Sequence, residues 1–184
     1  MINEPLLNEC KSGNRQAQRA VYDYLAPKLY STCKRYLKQN EEIEDVLSEA
    51  FVTIFTKMHT LKAVEALVSW ARKIAVNQCL QLLRKQVNFN LSLDDIKQEP
   101  AYDRSAHHEV EHKDLLQLLQ FLPDGCRSIF NLFAIEGYAH KEIASMLDIS
   151  EGTSKSQLNV AKNKLQHLVN AYYYQKSTNN GIAK

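Results

Sequence analysis

The residues with the clearest potential for chemistry are two histidines one helical turn apart, in the segment His108-Glu-Val-Glu-His112. On a helix, an HExxH segment can bind zinc through both imidazoles while its glutamate acts on a metal-bound water, as in metalloproteases. That chemistry also needs a third ligand and a dry cleft, whereas this segment lies in a polar stretch beside His107, Lys113 and Asp114. We interpret it as a solvated helix start and predict no catalytic residue, no metal site and no cofactor. Adventitious metal binding by His107, His108 and His112 stays open.

The cysteines are a second set of residues with possible chemistry. Cys10, Cys33, Cys79 and Cys126 are far apart and form no CxxC pair, so neither a zinc ribbon nor a redox motif is predicted. They are best explained as buried free thiols of a protein from a reducing compartment. The first ten residues lack the features of a signal peptide, and no apolar run could span a bilayer. We therefore expect a cytoplasmic protein without membrane insertion.

Most of the chain is predicted to be helical. Glycine (5) and proline (4) are scarce, and apolar residues recur every three or four positions. Residues 8–86 form one such block, with Trp70 and Ile74 on the apolar side of its last helix, and residues 112–173 form another. Between them, residues 87–111 are acidic and poor in apolar side chains, and residues 174–184 are a polar tail. The predicted fold is all-α: two small helical domains joined by a flexible acidic linker.

Residues 140–164 have the pattern of a helix-turn-helix: a short helix, a turn at residues 148–150 with Ser150 as N-cap, and a longer helix. Small Ala144 would allow the helices to cross closely. The predicted shared core is Ile143, Leu147, Ile149, Leu158, Ala161 and Leu165. The predicted exposed residues are Thr153, Ser154, Lys155, Gln157, Asn159 and Lys162. Such side chains suit base edges and phosphates in a major groove, although the solvated face of any amphipathic helix is an alternative.

Three segments resemble one family. The run LPDGCRSIFNLFAIEGYAHKEIASMLDISEGTSKS, residues 122–156, closely resembles the promoter-reading C-terminal domain of extracytoplasmic-function sigma factors, a subfamily of the sigma-70 family. DVLSEAFVTIF, residues 45–55, resembles the polymerase-binding helix of that family. WARKIAVNQCLQLLRK, residues 70–85, resembles its promoter-melting helix. The resemblance covers nearly the whole chain, with Ala139 standing where the family usually has a serine or threonine cap.

The resemblance implies a transcription initiation factor that acts without catalysing a reaction. It implies core RNA polymerase as partner, through the coiled coil of the largest subunit and the flap region, together with promoter DNA and an anti-sigma factor. The residues expected to bind polymerase are Asp45, Ser48, Glu49 and Thr53. The residues expected at the minus-10 element are Arg72, Lys73, Asn77, Gln81, Arg84 and Lys85, with Asn77 the best candidate for holding an extruded base. The residues expected at the minus-35 element are Thr153, Ser154, Lys155, Gln157, Asn159 and Lys162.

Two other classes of protein remain to be weighed. A stand-alone helix-turn-helix regulator would account for residues 140–164 but would leave the segments at residues 45–55 and 70–85 without a purpose. A structural helical adaptor would account for the periodicity and would show no salt-dependent DNA affinity.

Because the net charge is only +2, affinity for DNA must come from local clusters of lysine and arginine.

Overall fold

The computed structural model describes residues 2–86 and 117–180, with side chains up to residue 171. The chain divides into two compact units, Met1–Lys85 and Gln86–Lys184. The described residues form only helices and turns, which confirms the all-α prediction. The predicted acidic linker, residues 87–111, lies outside the described residues.

The first unit contains four α-helices: α1 (Glu4–Lys11), α2 (Arg15–Cys33), α3 (Asn40–Lys57) and α4 (Leu67–Gln86). Two short 3-10 turns, Met58–Thr60 and Val64–Ala66, lie between α3 and α4. Asn3 and Asn14 start α1 and α2, since each side-chain amide oxygen accepts a backbone N–H of the first turn. The first helix thus begins at Glu4, four residues before the predicted start of this block at residue 8.

The core of the first unit comes from one face of each helix. Val21 and Leu25 of α2, Ile43 and Ile54 of α3 and Ala75 of α4 have no solvent-exposed surface. Val21 and Leu25 are one helical turn apart, the spacing of a buried stripe. This packing holds the opposite faces of α3 and α4 towards solvent.

The second unit is built around a helix-turn-helix. After a helical segment at residues 117–120 come α5 (Asp124–Phe130), a π-helical turn (Asn131–Ile135), α6 (His140–Leu147) and the long α7 (Glu151–Asn180). Helix α7 extends into the predicted tail, consistent with the absence of glycine and proline between Gly152 and Gly181.

The predicted core of the second unit is largely confirmed. Ile143, Leu147, Leu158 and Ala161 are buried, whereas Ile149 and Leu165 are partly buried. Additional core side chains come from the segment before α6, namely Leu119, Leu122 and Cys126. All four cysteines of the chain are buried free thiols, as predicted.

Candidate nucleic-acid interface

The turn between α6 and α7 fixes the direction of the second helix. Asp148 adopts the left-handed conformation (φ 56°), and the N–H of Ile149 closes the end of α6 on the carbonyl of Ala144 at 3.0 Å. Ser150 Oγ accepts the N–H of Thr153 at 2.9 Å, which confirms the predicted N-cap of α7. At the other end of α6, Glu142 Oε2 accepts the N–H of Ala139 at 2.8 Å. Half of a capping box thus remains where the sequence lacks a serine or threonine.

Three of the predicted minus-35 residues form a stripe on the exposed face of α7. Lys155, Asn159 and Lys162 are exposed and follow the i, i+4, i+7 spacing that aligns side chains along a helix. Thr153 is half-buried, and its hydroxyl lies 2.9 Å from that of Ser150. At 100° per residue it also points well away from the stripe. The structure therefore brings together three of the six predicted minus-35 residues.

The prediction that Ser154 and Gln157 are exposed is wrong. Ser154 has no exposed surface, and its hydroxyl lies 2.9 Å from Nδ1 of His140. Gln157 is 4% exposed. The reason is the phase of the helix: Ser154 precedes Leu158 by one turn and Gln157 precedes Ala161 by one turn, so both face the core. These two side chains cannot read base edges from the positions they hold.

An acidic residue that the sequence analysis missed lies at the start of the stripe. Glu151 Oε1 forms an ion pair with Lys155 Nζ at 2.7 Å, both side chains being largely exposed. The hydrogen bond from Lys155 lowers the pKa of the Glu151 carboxyl, with smaller contributions from the charge of Lys155 and from His140 and Lys141. The two lysines of the stripe therefore differ, because Lys155 is partly neutralised by its neighbour.

Helix α4 presents all six predicted minus-10 residues to solvent. Lys73, Asn77, Gln81 and Arg84 follow an i, i+4, i+8, i+11 pattern, which places them on one stripe. The remaining two, Arg72 and Lys85, lie to its sides. Within the described part of the chain, none of the six is held by a hydrogen bond or an ion pair, so their polar groups are available to a ligand.

Two residues of α4 are not where the sequence analysis placed them. Trp70 and Ile74 were expected on the apolar side, but both are only partly buried. They fall on the same side of the helix as Asn77 and Gln81. An aromatic side chain in this position could bind single-stranded nucleic acid, since bases can stack on the ring.

Helix α3 presents a face with the opposite charge. Asp45, Ser48 and Glu49 are exposed and adjacent on the helix, as predicted. Thr53 is half-buried, and its Oγ1 accepts a hydrogen bond from Nε2 of Gln78 on α4 at 3.4 Å. Val52, which was not among the predicted residues, is 68% exposed on this face. The face thus combines two carboxylates with an exposed valine about one helical turn after the second.

A groove of about 530 Å³ runs beside this face, between α2 and α3. Small side chains line part of it, while aromatic side chains and one carboxylate line the rest: Ala26, Pro27, Ser48, Tyr22, Tyr30, Phe51, Leu47 and Glu44. The ring of Phe51 packs against that of Tyr22, with centroids 4.4 Å apart. The groove thus offers apolar walls next to a negative charge.

The three histidines for which adventitious metal binding was left open, His107, His108 and His112, lie outside the described residues. In residues 2–86 and 117–180, no three histidine, cysteine or acidic side chains come together in a way that could hold a metal ion. No helix among these same residues is long and apolar enough to span a membrane.

Comparison with known proteins connects both units to one family. Residues 21–88 match Sigma-70 region 2, and residues 112–165 match Sigma-70, region 4. The chain belongs to the sigma-70 family. Sigma factors of this family direct promoter-specific transcription initiation by RNA polymerase, and this is the function of the chain. A regulator with only a helix-turn-helix is not favoured, because region 2 is present as well.

Relatives place this sigma factor in the extracytoplasmic-function subfamily. The chain is similar to the ECF RNA polymerase sigma-E factor of Escherichia coli, with 24% identity over 92% of this chain and 97% of the relative. It is 28% identical to the ECF RNA polymerase sigma factor SigM of Mycobacterium tuberculosis, over 91% of this chain and 84% of the relative. Among solved structures, it is similar to the sigma factor RpoE in complex with the anti-sigma factor NepR from Bartonella quintana. That match has 20% identity and a TM-score of 0.49, and it covers 83% of this chain and 96% of the other.

Proposed function

We propose that this sigma factor divides promoter recognition between its two units. The first unit docks on core polymerase through α3, and it recognises and melts the minus-10 element through α4. The second unit reads the minus-35 element through Lys155, Asn159 and Lys162. The observation that carries the second assignment is the stripe on α7, because the helix exposes these three residues while Ser154 and Gln157 face the core.

The chemistry of the α7 stripe suits a major groove. An asparagine amide can pair with N6 and N7 of adenine, and a lysine ammonium can donate to O6 and N7 of guanine or to a phosphate. The second helix of a helix-turn-helix enters the major groove with its N-terminal residues at the bases. We therefore assign base contacts to Lys155 and Asn159, and a phosphate contact to Lys162, which lies further along the helix. Thr153 points away from this stripe, so we assign it no base contact.

The chemistry of the α4 stripe is suited to binding a DNA strand from which a base is extruded. Extruding a base costs a few kcal/mol, so the protein must offer hydrogen bonds to the base and cations to the flanking phosphates. Asn77 lies at the middle of the stripe, between Lys73 on one side and Gln81 and Arg84 on the other. We assign the base to Asn77 and Gln81, and the phosphates to the cations, including Arg72 and Lys85.

The α3 face suits a basic protein surface. Asp45 and Glu49 would attract cationic side chains, while exposed Val52 and the neighbouring groove would accept an apolar one. Family resemblance points to the coiled coil of the largest polymerase subunit as the partner here, and to the flap region as the partner of the second unit. An anti-sigma factor that covers the α3 face would block docking. The proposed role is binding alone, with no cofactor and no catalysed reaction.

Run-off transcription tests these assignments of the two units. Purified core polymerase with the full-length chain, on a pool of genomic promoter fragments, should give transcripts that are absent without it. A Lys155→Ala/Asn159→Ala variant should lose the preference for the minus-35 sequence while its affinity for core polymerase is kept. An unchanged promoter preference in this variant would remove the α7 assignment. Tight binding to a DNA site without polymerase would instead support the regulator alternative.

A further inference from the structure

Packing in the hydrophobic core does not account for one exposed aromatic ring that lies beside the α7 stripe. Phe133 lies in the π-helical turn Asn131–Ile135, and 36% of it is exposed. The N–H of Glu136 bonds to the carbonyl of Asn131 at 3.0 Å, the five-residue step of a π-turn, and Gly137 follows with a φ of +80°. Such turns often occur at functional sites.

The ring of Phe133 connects two elements of the helix-turn-helix. It stacks on the imidazole of His140, with centroids 4.7 Å apart and planes inclined by 22°. Nζ of Lys162 lies 5.7 Å from the centroid of the same ring, within the range of a cation–π contact. His140 in turn contacts the hydroxyl of buried Ser154 at 2.9 Å. A continuous series of contacts therefore runs from Ser154 through His140 and Phe133 to Lys162.

This series spans about 12 Å along α7, since residues eight apart on a helix are separated by eight rises of about 1.5 Å. One end is fixed in the core at Ser154, and the other holds an exposed ammonium group. A lysine side chain is flexible, and ordering it on binding costs conformational entropy. A ring that holds the ammonium group in advance lowers that cost without using its N–H donors.

We propose that Phe133 and His140 form a brace that positions the Lys162 ammonium group for a phosphate of the minus-35 DNA. The inference rests on the proposed assignment of α7 to that element. It also explains the difference between the two lysines of the stripe. The Lys155 ammonium group is paired with the Glu151 carboxylate, whereas the Lys162 ammonium group faces an aromatic ring. Phe133 and His140 are positioning residues, and Lys162 makes the contact.

Salt dependence of DNA binding tests the contact. Holoenzyme made with the full-length chain is titrated with a fluorescent promoter fragment over a series of salt concentrations. Lys162→Ala should reduce the slope of log K against log salt by about one, as expected for the loss of one phosphate contact. Phe133→Leu should weaken binding by about two- to fivefold, the size of an exposed cation–π contact. In the Lys162→Ala background, Phe133→Leu should have no further effect.

Two controls separate the brace from general destabilisation. Ile135→Ala changes another exposed apolar side chain of the same π-turn, 39% exposed, and should leave binding unchanged. Phe133→Tyr keeps the ring and should bind like the original protein. Additive effects of Phe133→Leu and Lys162→Ala, or an Ile135→Ala variant as weak as Phe133→Leu, would overturn the proposal.

The free protein provides an independent measurement. In its NMR spectrum, the Lys162 ε-methylene protons should show an upfield ring-current shift that Phe133→Leu abolishes and Phe133→Tyr preserves. Absence of this shift overturns the brace even if DNA binding is normal. If the shift is present but the original holoenzyme ignores the minus-35 sequence, the assignment of α7 fails. The phosphate contact then fails with it, and the contact between Phe133 and Lys162 stands.

Discussion

Replacing Gln157 and replacing Lys155 should have opposite consequences, although they lie only two positions apart on α7. Gln157 is buried, so Gln157→Ala leaves a cavity and disturbs the polar groups around the lost amide, at a cost of about 1–3 kcal/mol. For a domain of this size, each kcal/mol lowers the melting temperature by about 4–8 °C, so the second unit should melt on the order of 10 °C lower. The Lys155 side chain is 60% exposed, and its removal should change stability little.

DNA recognition should respond in the reverse order. Loss of a base contact by Lys155 should reduce discrimination at one minus-35 position by about 5- to 150-fold. Below its melting temperature, Gln157→Ala should keep the same ranking of promoters. The assay combines calorimetry of the full-length chain, hydrogen exchange of α5 and α7, and run-off transcription on all single-base variants of one minus-35 element. A Gln157→Ala protein with normal stability and an altered base preference would refute the buried orientation of this side chain.

Three further predictions concern other residues. Glu151→Gln removes a carboxylate from the α7 stripe and frees Lys155, so promoter DNA should bind about two- to fivefold tighter in a filter-binding assay, with a larger gain at low salt. Unchanged affinity would mean that Glu151 lies away from the DNA. Asn77→Ala should reduce permanganate reactivity of the minus-10 bubble while core polymerase still binds, and a normal bubble would contradict its assignment to an extruded base. Burial raises the pKa of the Cys126 thiol to about 11 from 9.0, so the folded state holds its proton longer than the unfolded state. Stability of the second unit should therefore fall between about pH 9 and 11, by roughly 2–3 kcal/mol, and Cys126→Ala should flatten that part of the stability curve.

The sequence was sufficient for the turn of the helix-turn-helix because local chemistry determines it. Ser150 caps the second helix through its own hydroxyl, and the short Asp148 side chain tolerates the left-handed backbone that ends the first. Exposure along α4 was also predictable, since Lys73, Asn77 and Gln81 are polar and regularly spaced. These features depend on neighbours within one or two helical turns.

Ser154 and Gln157 were misplaced because residue type was given more weight than helical phase. Leu158, Ala161 and Leu165 define the buried side of α7, and stepping back one turn from Leu158 and Ala161 reaches Ser154 and Gln157. The information was therefore present in the spacing. A buried serine next to a histidine 14 residues earlier is a tertiary arrangement, and the serine alone gives no sign of it.

Val52 and Phe133 could not be located from the sequence for a different reason. Both are apolar residues, a type that usually lies in the core, yet both are exposed. Val52 lies on the polar face of α3, where only a partner would bury it. Phe133 is turned outwards by a π-turn, which inserts a residue into the helical repeat and shifts the phase of the residues after it.

The distribution of charge explains how a chain of net charge +2 can bind both a protein and DNA. Helix α3 carries five carboxylates in its first ten residues: Glu41, Glu42, Glu44, Asp45 and Glu49. Helix α4 carries no carboxylate and four cations: Arg72, Lys73, Arg84 and Lys85. Phosphates are repelled by the first surface and attracted by the second, and a basic protein experiences the reverse. At physiological salt such fields decay within about 8 Å, so in the proposed assignment each surface would attract its partner locally, and the near-neutral total would prevent neither interaction.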